Sequence, residues 1–367
     1  MVRSSMPMQI HHIATLIFAV AILQTFIAKS LEMVFPIWAL ILIGIMWIMT
    51  GTTATGEFIT GLELREPVFV AGIMILASTP PVLWVGEELI YRLSFGQGIV
   101  KRMSFFWLAL VIGPILGSFI TEPAAMTVTA LLLRDRFFMK QNRPSFEYAT
   151  LGTVFVNISI GGTLTHFSAP PVVMVARAWH WNSGYMISHF GWKSAIAIVL
   201  NATLLLLVFR KDFASRELQD LAREHWNAPR SKKGFRPRWK EGVGVGLFLA
   251  GLVILGQPQR WWLEPVIRSL SEGQLFLGAT ALTAVIDNAA LTFLGSQVTP
   301  LGDAMKNALV AGAVAGGGLT VIANAPNPIG WALLSPGFKR NRIRPVALFL
   351  GAALPTAVAM ACLWFLA

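Results

Sequence analysis

Two acidic residues of this sequence lie in the middle of long apolar stretches. Glu122 is the sole charged residue of positions 104–133, and Asp287 is the sole charged residue of positions 273–302. An ionisable group inside a membrane segment is costly, and by default it marks an ion path or a proton relay. The two carboxylates are therefore the first candidates for chemistry, as groups that bind a cation or carry a proton.

The environment of these carboxylates predicts competition between protons and cations. Burial in apolar surroundings favours the protonated form of a carboxyl group, whereas a bound cation favours the ionised form. A site with one or two such groups would hold a proton when empty and release it when a cation arrives, which is sufficient for cation/proton exchange. The alternative is a carboxylate neutralised by Lys or Arg; neither window contains one, so that partner would come from another helix.

Hydroxyl and amide side chains near the carboxylates could complete a cation site. Hard cations take oxygen ligands, which include backbone carbonyls, hydroxyls and amide oxygens. Such groups flank both acids and recur in two Gly- and Pro-containing segments, GGTLTHFSAPP and GGGLTVIANAPNP. For each of them the alternative is a local backbone cap at a helix break. With sodium expected at Glu122 and Asp287, the candidate neutral ligands are Thr121, Thr127, Thr165, Ser168, Asn288, Thr292, Thr320, Asn324 and Asn327.

His166, in the first of these segments, is a candidate proton relay, because histidine is suited to proton transfer near neutral pH. Its counterpart in the second segment is Val321, so the similarity of the segments does not support this role. No cofactor is expected, and only sodium and protons are predicted as transported or coupling ions.

The composition places the chain in a membrane. Of 367 residues, 55% are hydrophobic and 13% are charged, with a mean hydropathy of +0.64. A soluble domain carries roughly a quarter charged residues. The net charge of +11 comes from basic residues between apolar runs, as in the cytoplasmic loops of membrane proteins, and not from a soluble face that would bind nucleic acid.

The sequence lacks the motifs of several functional classes. There is no G-x-x-x-x-G-K-[ST] sequence, so neither nucleotide binding nor ATP-driven pumping is supported. An intramembrane enzyme would need a nucleophile–base pair or a metal triad, but the chain has no HExxH, GxSxG or acidic cluster. Its one cysteine, Cys362, excludes disulfide frameworks. We therefore expect a protein that is not an enzyme.

The apolar residues divide into about ten segments of an all-α membrane protein, since a bilayer core of about 30 Å needs roughly 20 apolar residues per helix. Segments 104–133, 146–179 and 305–336 are too long for one straight helix and contain Pro, Gly or polar residues, which predicts broken or re-entrant structure. The candidate segments are 9–28, 35–56, 67–90, 104–133, 146–179, 190–209, 242–257, 274–299, 305–336 and 345–366.

The basic connections between the apolar segments predict how the chain is oriented in the membrane. The longest, residues 210–241, contains ten Lys or Arg, and residues 134–143 and 339–344 are also basic. All three are expected on the cytoplasmic side. This arrangement requires 104–133 and 274–299 to enter and leave on one side, the first from the cytoplasm and the second from outside. Two re-entrant hairpins of opposite orientation follow.

The chain also contains an internal repeat. GSFITEPAAMTVTALLL resembles TAVIDNAALTFLGSQV, and in each half a Gly-Gly-x-Leu-Thr segment with a Pro break follows. Because the loops give the halves opposite orientation, this is an inverted repeat, whose midplane breaks form the substrate sites of secondary transporters. The first half covers residues 1–209, with the second starting at about 190; the loop 210–241 follows, and 242–367 complete the second half. The matching residues are Glu122, Ala124, Ala125 and Thr127 with Asp287, Ala289, Ala290 and Thr292.

These motifs resemble the ion transporter superfamily, which includes sodium/dicarboxylate symporters, arsenite and silicic acid efflux proteins and several sodium/proton antiporters. The resemblance covers roughly residues 100–180 and 270–335. Dicarboxylate members carry Ser-Asn-Thr at both hairpin tips, whereas this chain has Thr-Glu-Pro at 121–123 and Ile-Asp-Asn at 286–288. Acidic tips look more like the antiporter and metalloid-efflux branches, and the whole chain is most similar to a bacterial sodium/proton antiporter group.

The resemblance implies a mobile transport domain of hairpins and broken helices that moves as an elevator beside a scaffold. It also implies a homodimer in the bilayer of a bacterial inner membrane. We expect a sodium/proton antiporter that uses Glu122 and Asp287 in alternating access. The alternative is proton-coupled efflux of a neutral oxyacid such as arsenite or silicic acid, with the carboxylates carrying only the proton.

Overall fold

The computed structural model describes residues 7–25, 31–62, 64–77, 79–138, 143–214, 239–339 and 342–366. Every regular element within these ranges is helical, in agreement with an all-α membrane protein. Five helical stretches are long and apolar enough to cross a membrane: Met33–Thr60, Gly98–Ile120, Ser183–Val208, Gly242–Ser269 and Pro345–Phe365.

The N-terminal part differs from the prediction at two places. The predicted segment 35–56 kinks at Gly51, whose φ is 79°, and the predicted segment 67–90 consists of two helices. Pro80 and Pro81 begin the second of these helices, and proline fits the first turn because it has no N–H to donate. The helices of this part are α1 (Met8–Thr25), α2 (Leu31–Thr60), α3 (Arg65–Ala77) and α4 (Pro80–Leu93).

The first predicted hairpin consists of two helices joined by the single residue Thr121. The first predicted broken helix is also interrupted, because a short 3-10 turn at Gly162–Leu164 and five further residues separate its two pieces. The four helices are α5 (Gly98–Ile120), α6 (Glu122–Phe137), α7 (Pro144–Gly161) and α8 (Pro170–Ala176).

The middle of the chain connects the two halves. Residues 215–238, which form most of the predicted basic loop 210–241, lie outside the described residues, as do Lys140 and Arg340 of the other two basic connections. The helices are α9 (Ser183–Met186), α10 (Trp192–Val208), α11 (Trp239–Gly256) and α12 (Arg260–Ser269), with a π-helical turn at Ile187–Gly191.

The second half repeats the order of the first. A capping box of Ser271 and Gln274 begins its first helix, and residues 284–287 connect this helix to the next. Residues 317–326 contain no regular helix, so the second broken helix is interrupted as predicted. The helices are α13 (Glu272–Thr283), α14 (Asn288–Ser296), α15 (Asp303–Gly316), α16 (Asn327–Leu334) and α17 (Pro345–Phe365).

The helices of the two halves pack in corresponding ways. Helix α5 packs on α7, as α13 packs on α15. Glycine permits the close approach in both pairs, because a Cβ at Gly161 would collide with the backbone of Pro114 and a Cβ at Gly316 would collide with that of Thr280. The second piece of each broken helix packs on the hairpin of the other half: α16 packs on α6, and α8 packs on α14. Each broken helix therefore contacts both hairpins.

Two buried apolar clusters form the core. The first joins α5, α6, α7, α10 and α17, and the second joins α1, α2, α11 and α14. Helix α8 lies between them, since Val172 and Val175 belong to the first cluster while Val173 and Met174 belong to the second. The first break therefore ends where the two clusters meet.

Candidate ion-binding site

Thr121 forms a sharp tip on the first hairpin. Its backbone angles, φ 75° and ψ 150°, are rare for a β-branched residue and cost about 1–3 kcal/mol. Its carbonyl accepts a hydrogen bond of 3.0 Å from the Ala125 amide, which begins the next helix. Glu122 is consequently the first residue of α6, where the partial positive charge of a helix N-terminus stabilises a carboxylate.

Glu122 lies between the two breaks. Its side chain is fully buried, and Asn324 Nδ2 in the second break donates a hydrogen bond of 2.9 Å to Glu122 Oε2. Within the described residues Oε1 has no hydrogen-bond partner. Gly162 of the first break borders that oxygen, since a Cβ at this position would lie 2.6 Å from Oε1. The first break therefore packs closely against one side of the carboxylate, and Oε1 stays available as an acceptor.

Asp287 forms the N-cap of α14, so the second carboxylate also lies at a helix N-terminus. Its Oδ1 accepts hydrogen bonds from the backbone amides of Ala289 at 2.9 Å and Ala290 at 3.3 Å. The backbone amide of Ala325 also interacts with this carboxylate. Unlike Glu122, Asp287 is partly exposed. Its charge interacts with that of Glu122, so the two predicted acids lie near each other.

Three asparagines add unused oxygens. The Asn288 amide donates to the Ala323 carbonyl at 3.0 Å, which attaches the second hairpin to the second break. Asn327 Nδ2 donates to the Gly317 carbonyl at 2.7 Å and to the Thr320 carbonyl at 2.8 Å. The Oδ1 atoms of Asn288, Asn324 and Asn327 are buried and have no hydrogen-bond partner within the described residues.

This distribution of donors and acceptors fits a cation. Buried polar atoms are normally hydrogen-bonded, so a group of buried oxygens without donors calls for a further partner, which a proton, a water molecule or a cation can supply. Neither Glu122 nor Asp287 forms an ion pair with a described residue, so the alternative of a basic partner from another helix is not found there. The potential donors around Glu122 are carboxylate and amide oxygens, a set that suits a hard cation.

Two of the predicted hydroxyl ligands occupy matching positions in the hairpins. Thr127 Oγ1 donates to the Pro123 carbonyl at 2.9 Å, and Thr292 Oγ1 donates to the Asn288 carbonyl at 3.1 Å. Both hydroxyls therefore bond to the carbonyl four residues earlier, within their own helix. Thr121 Oγ1 is buried and has no hydrogen-bond partner within the described residues.

The other predicted hydroxyls tie each break to its own hairpin. Thr165 Oγ1 donates to the Ser118 carbonyl at 2.6 Å, and Thr320 Oγ1 donates to the Ala284 carbonyl at 2.9 Å. Ser168 Oγ donates to the Gly117 carbonyl. These bonds position the breaks, and the hydroxyl oxygens keep lone pairs for a ligand. Their role as ion ligands stays a prediction.

His166 lies apart from the two carboxylates. Its Nδ1 is 2.9 Å from Ser183 Oγ, and its ring lines a cavity of about 560 Å³. No hydrogen bond joins its ring to Glu122 or Asp287 among the described contacts. The proposed relay through His166 therefore stays a prediction without a direct contact to the site.

Sequence reasoning missed two residues that shape the site. Ser118 Oγ donates to the Gly161 carbonyl at 2.7 Å and accepts from the Leu164 amide at 2.9 Å, which connects the hairpin to the break. Its small polar side chain four residues before Glu122 was the available signal. Ser159 Oγ is 3.5 Å from Asn288 Nδ2, across the two halves.

The chain matches the model of a known protein family. The model of a family described as "Putative Na+/H+ antiporter" matches residues 28–239 and 236–366, which is nearly the whole chain. No curated protein matches the sequence significantly. Members of such a family move ions across membranes and are not enzymes, as the missing catalytic motifs predicted. The chain belongs to this Na+/H+ antiporter family.

Proposed function

We propose that the protein exchanges sodium ions for protons, with Glu122 and Asp287 alternating between protonated and sodium-bound states. One observation carries the proposal: Glu122 is fully buried, one of its oxygens accepts a hydrogen bond from Asn324, and the other has no donor among the described residues. A buried carboxylate oxygen in this situation needs either a proton or a cation to balance it.

Exchange follows if both ions use the same oxygen. A proton on Glu122 Oε1 makes the buried side chain neutral while Oε2 keeps its bond from Asn324. A sodium ion at Oε1 requires the ionised form, so sodium and proton cannot occupy this oxygen together. Binding of one ion therefore releases the other, which couples the two fluxes without any further reaction.

The neighbouring groups suit both steps of this cycle, the binding of sodium and the release of the proton. The free Oδ1 atoms of Asn288, Asn324 and Asn327, with the predicted hydroxyls and unwound carbonyls, would replace the water around sodium. The helix N-terminus at Glu122 and the amides at Asp287 stabilise ionised carboxylates, so that a proton can be released into a buried site. The two acids repel when both are ionised, which favours uptake of at least one positive charge.

Alternating access would come from the hairpins and breaks moving together. The bond from Asn324 to Glu122 and the bond from Asn288 to Ala323 keep the site assembled across elements. We propose that this assembly is the transport domain of two inverted halves, with the loop 210–241 in the cytoplasm, and that the protein is a homodimer in a bacterial inner membrane.

Proteoliposomes that contain a pH-sensitive dye test the proposal. Sodium added outside should dequench the dye in the wild type, and Glu122→Gln combined with Asp287→Asn should abolish the response. Asp303→Asn is the matched control, because Asp303 is an exposed carboxylate at the start of α15 that pairs with Lys306. Unchanged sodium-dependent dequenching in the double variant would contradict the carboxylate mechanism. A response that needs neither sodium nor lithium would instead favour proton-coupled oxyacid efflux.

A further inference from the structure

A basic cavity lies between α3 and the first broken helix, apart from the two carboxylates. Its volume is about 560 Å³, a size typical of small-molecule sites. Its basic side chains come from Arg65 at the start of α3, Arg177 and His180 after α8, and His166 in the break. The described residues that line it include no Asp or Glu.

The convergence of these groups favours an anion. Like charges around one cavity repel, and an anion between them turns that repulsion into attraction. The same field disfavours sodium, so the cavity does not serve as a second cation site. Guanidinium groups offer paired N–H donors that match the geometry of phosphate oxygens. The bond between His166 Nδ1 and Ser183 fixes the imidazole and directs its other nitrogen away from that partner.

The surface beside the cavity favours a lipid as the source of this anion. Val68 and Leu76 of α3 are 71% and 69% exposed, as expected for side chains that face acyl chains. Phe69 is 49% exposed and also lines the cavity, so the basic lining is continuous with this apolar surface. Basic pockets beside transmembrane helices bind anionic lipid headgroups.

We propose that this cavity binds the phosphate headgroup of an anionic phospholipid, with Arg65 and Arg177 contacting the phosphate oxygens and the acyl chains lying along α3. The headgroup would join α3 to the first break, which is itself tied to the first hairpin through Thr165 and Ser168. This proposal rests on no assumption about the transported ion.

Calorimetric titration of the delipidated full-length protein in detergent tests it with three probes: dioctanoyl phosphatidylglycerol, dioctanoyl phosphatidylcholine and inorganic phosphate. We expect phosphatidylglycerol to bind about tenfold or more tightly than phosphatidylcholine. Arg65→Gln combined with Arg177→Gln should weaken its binding by about tenfold or more, as expected when charge-assisted hydrogen bonds are lost. The matched control combines Arg92→Gln with Arg268→Gln, two arginines that pair with Glu88 and Glu264 outside the cavity.

Competition between inorganic phosphate and phosphatidylglycerol would support recognition through the phosphate. Equal affinities for the two lipids, unchanged binding in the cavity variant, or binding of free phosphate without binding of lipid would each overturn the proposal. Size-exclusion profiles report folding. If the double variant does not fold, Arg65→Gln and Arg177→Gln are titrated singly, with the same direction of change expected.

Discussion

The bond between Glu122 and Asn324 joins residues 202 positions apart, one from each predicted half. It leaves a single carboxylate oxygen for an ion and fixes the direction in which that oxygen points. Without Asn324, the buried carboxyl would lose its hydrogen bond and its orientation. Asn324 is therefore expected to position Glu122 for sodium as well as to offer its own Oδ1 as a ligand.

Replacement of Asn324 by Ala should weaken sodium binding. A hydrogen bond to a charged group contributes about 1.5–3 kcal/mol, so the half-maximal sodium concentration of dye dequenching should rise by about tenfold or more. Asn307→Ala is the control, because Asn307 accepts a hydrogen bond from Tyr185 and makes no contact with Glu122. A half-maximal concentration that matches the wild type in Asn324→Ala would show that Asn324 does not support the ion.

The two breaks show how backbone elements shape this site. Each break brings one residue to Glu122: Asn324 supplies a hydrogen bond, and Gly162 supplies close backbone contact. The absence of a side chain at position 162 determines how near the first break comes to the carboxylate. This closeness excludes water from one side of Glu122, which strengthens its interaction with any bound ion.

Gly162→Ala should therefore abolish transport while the protein still folds. The new Cβ would lie 2.6 Å from Glu122 Oε1 and 2.9 Å from the Ala169 Cβ, so the carboxylate would have to move. Gly278→Ala is the matched control, because a Cβ at Gly278 meets no atom within 4 Å. Dye dequenching measures transport and size-exclusion chromatography measures folding. Normal sodium-dependent exchange in Gly162→Ala would contradict the tight packing at Oε1.

Much of this arrangement could be predicted from the sequence, because Gly, Pro and isolated charges carry local signals. The interruptions after Gly161 and Gly316 were of this kind. The partner of Glu122 could not be predicted, since periodicity does not reveal which residue of a distant break faces a hairpin. The division of segment 67–90 was missed because its hydropathy is continuous across Pro80 and Pro81.

At the scale of the whole molecule, the two predicted halves make corresponding contacts. The threonines at 165 and 320 each bond to the end of the first helix of their own hairpin, and the second pieces of the broken helices cross to the opposite hairpin. Such an exchange places both carboxylates between the predicted halves and ties the halves together, so the transport proposed above would carry both carboxylates across as one unit.

Opposite orientation of the two hairpins predicts that their entry points face opposite sides of the membrane. Gln97 and Gly302 are exposed residues beside the first and second hairpins, and a side chain at position 302 has open space. With the sole cysteine, Cys362, replaced by Ser, a membrane-impermeant maleimide should label Gly302→Cys in intact cells. Gln97→Cys should be labelled only after permeabilisation, because the basic connections place it in the cytoplasm. Labelling of both positions from the same side would contradict the inverted arrangement and, with it, the alternation of the carboxylates between two compartments.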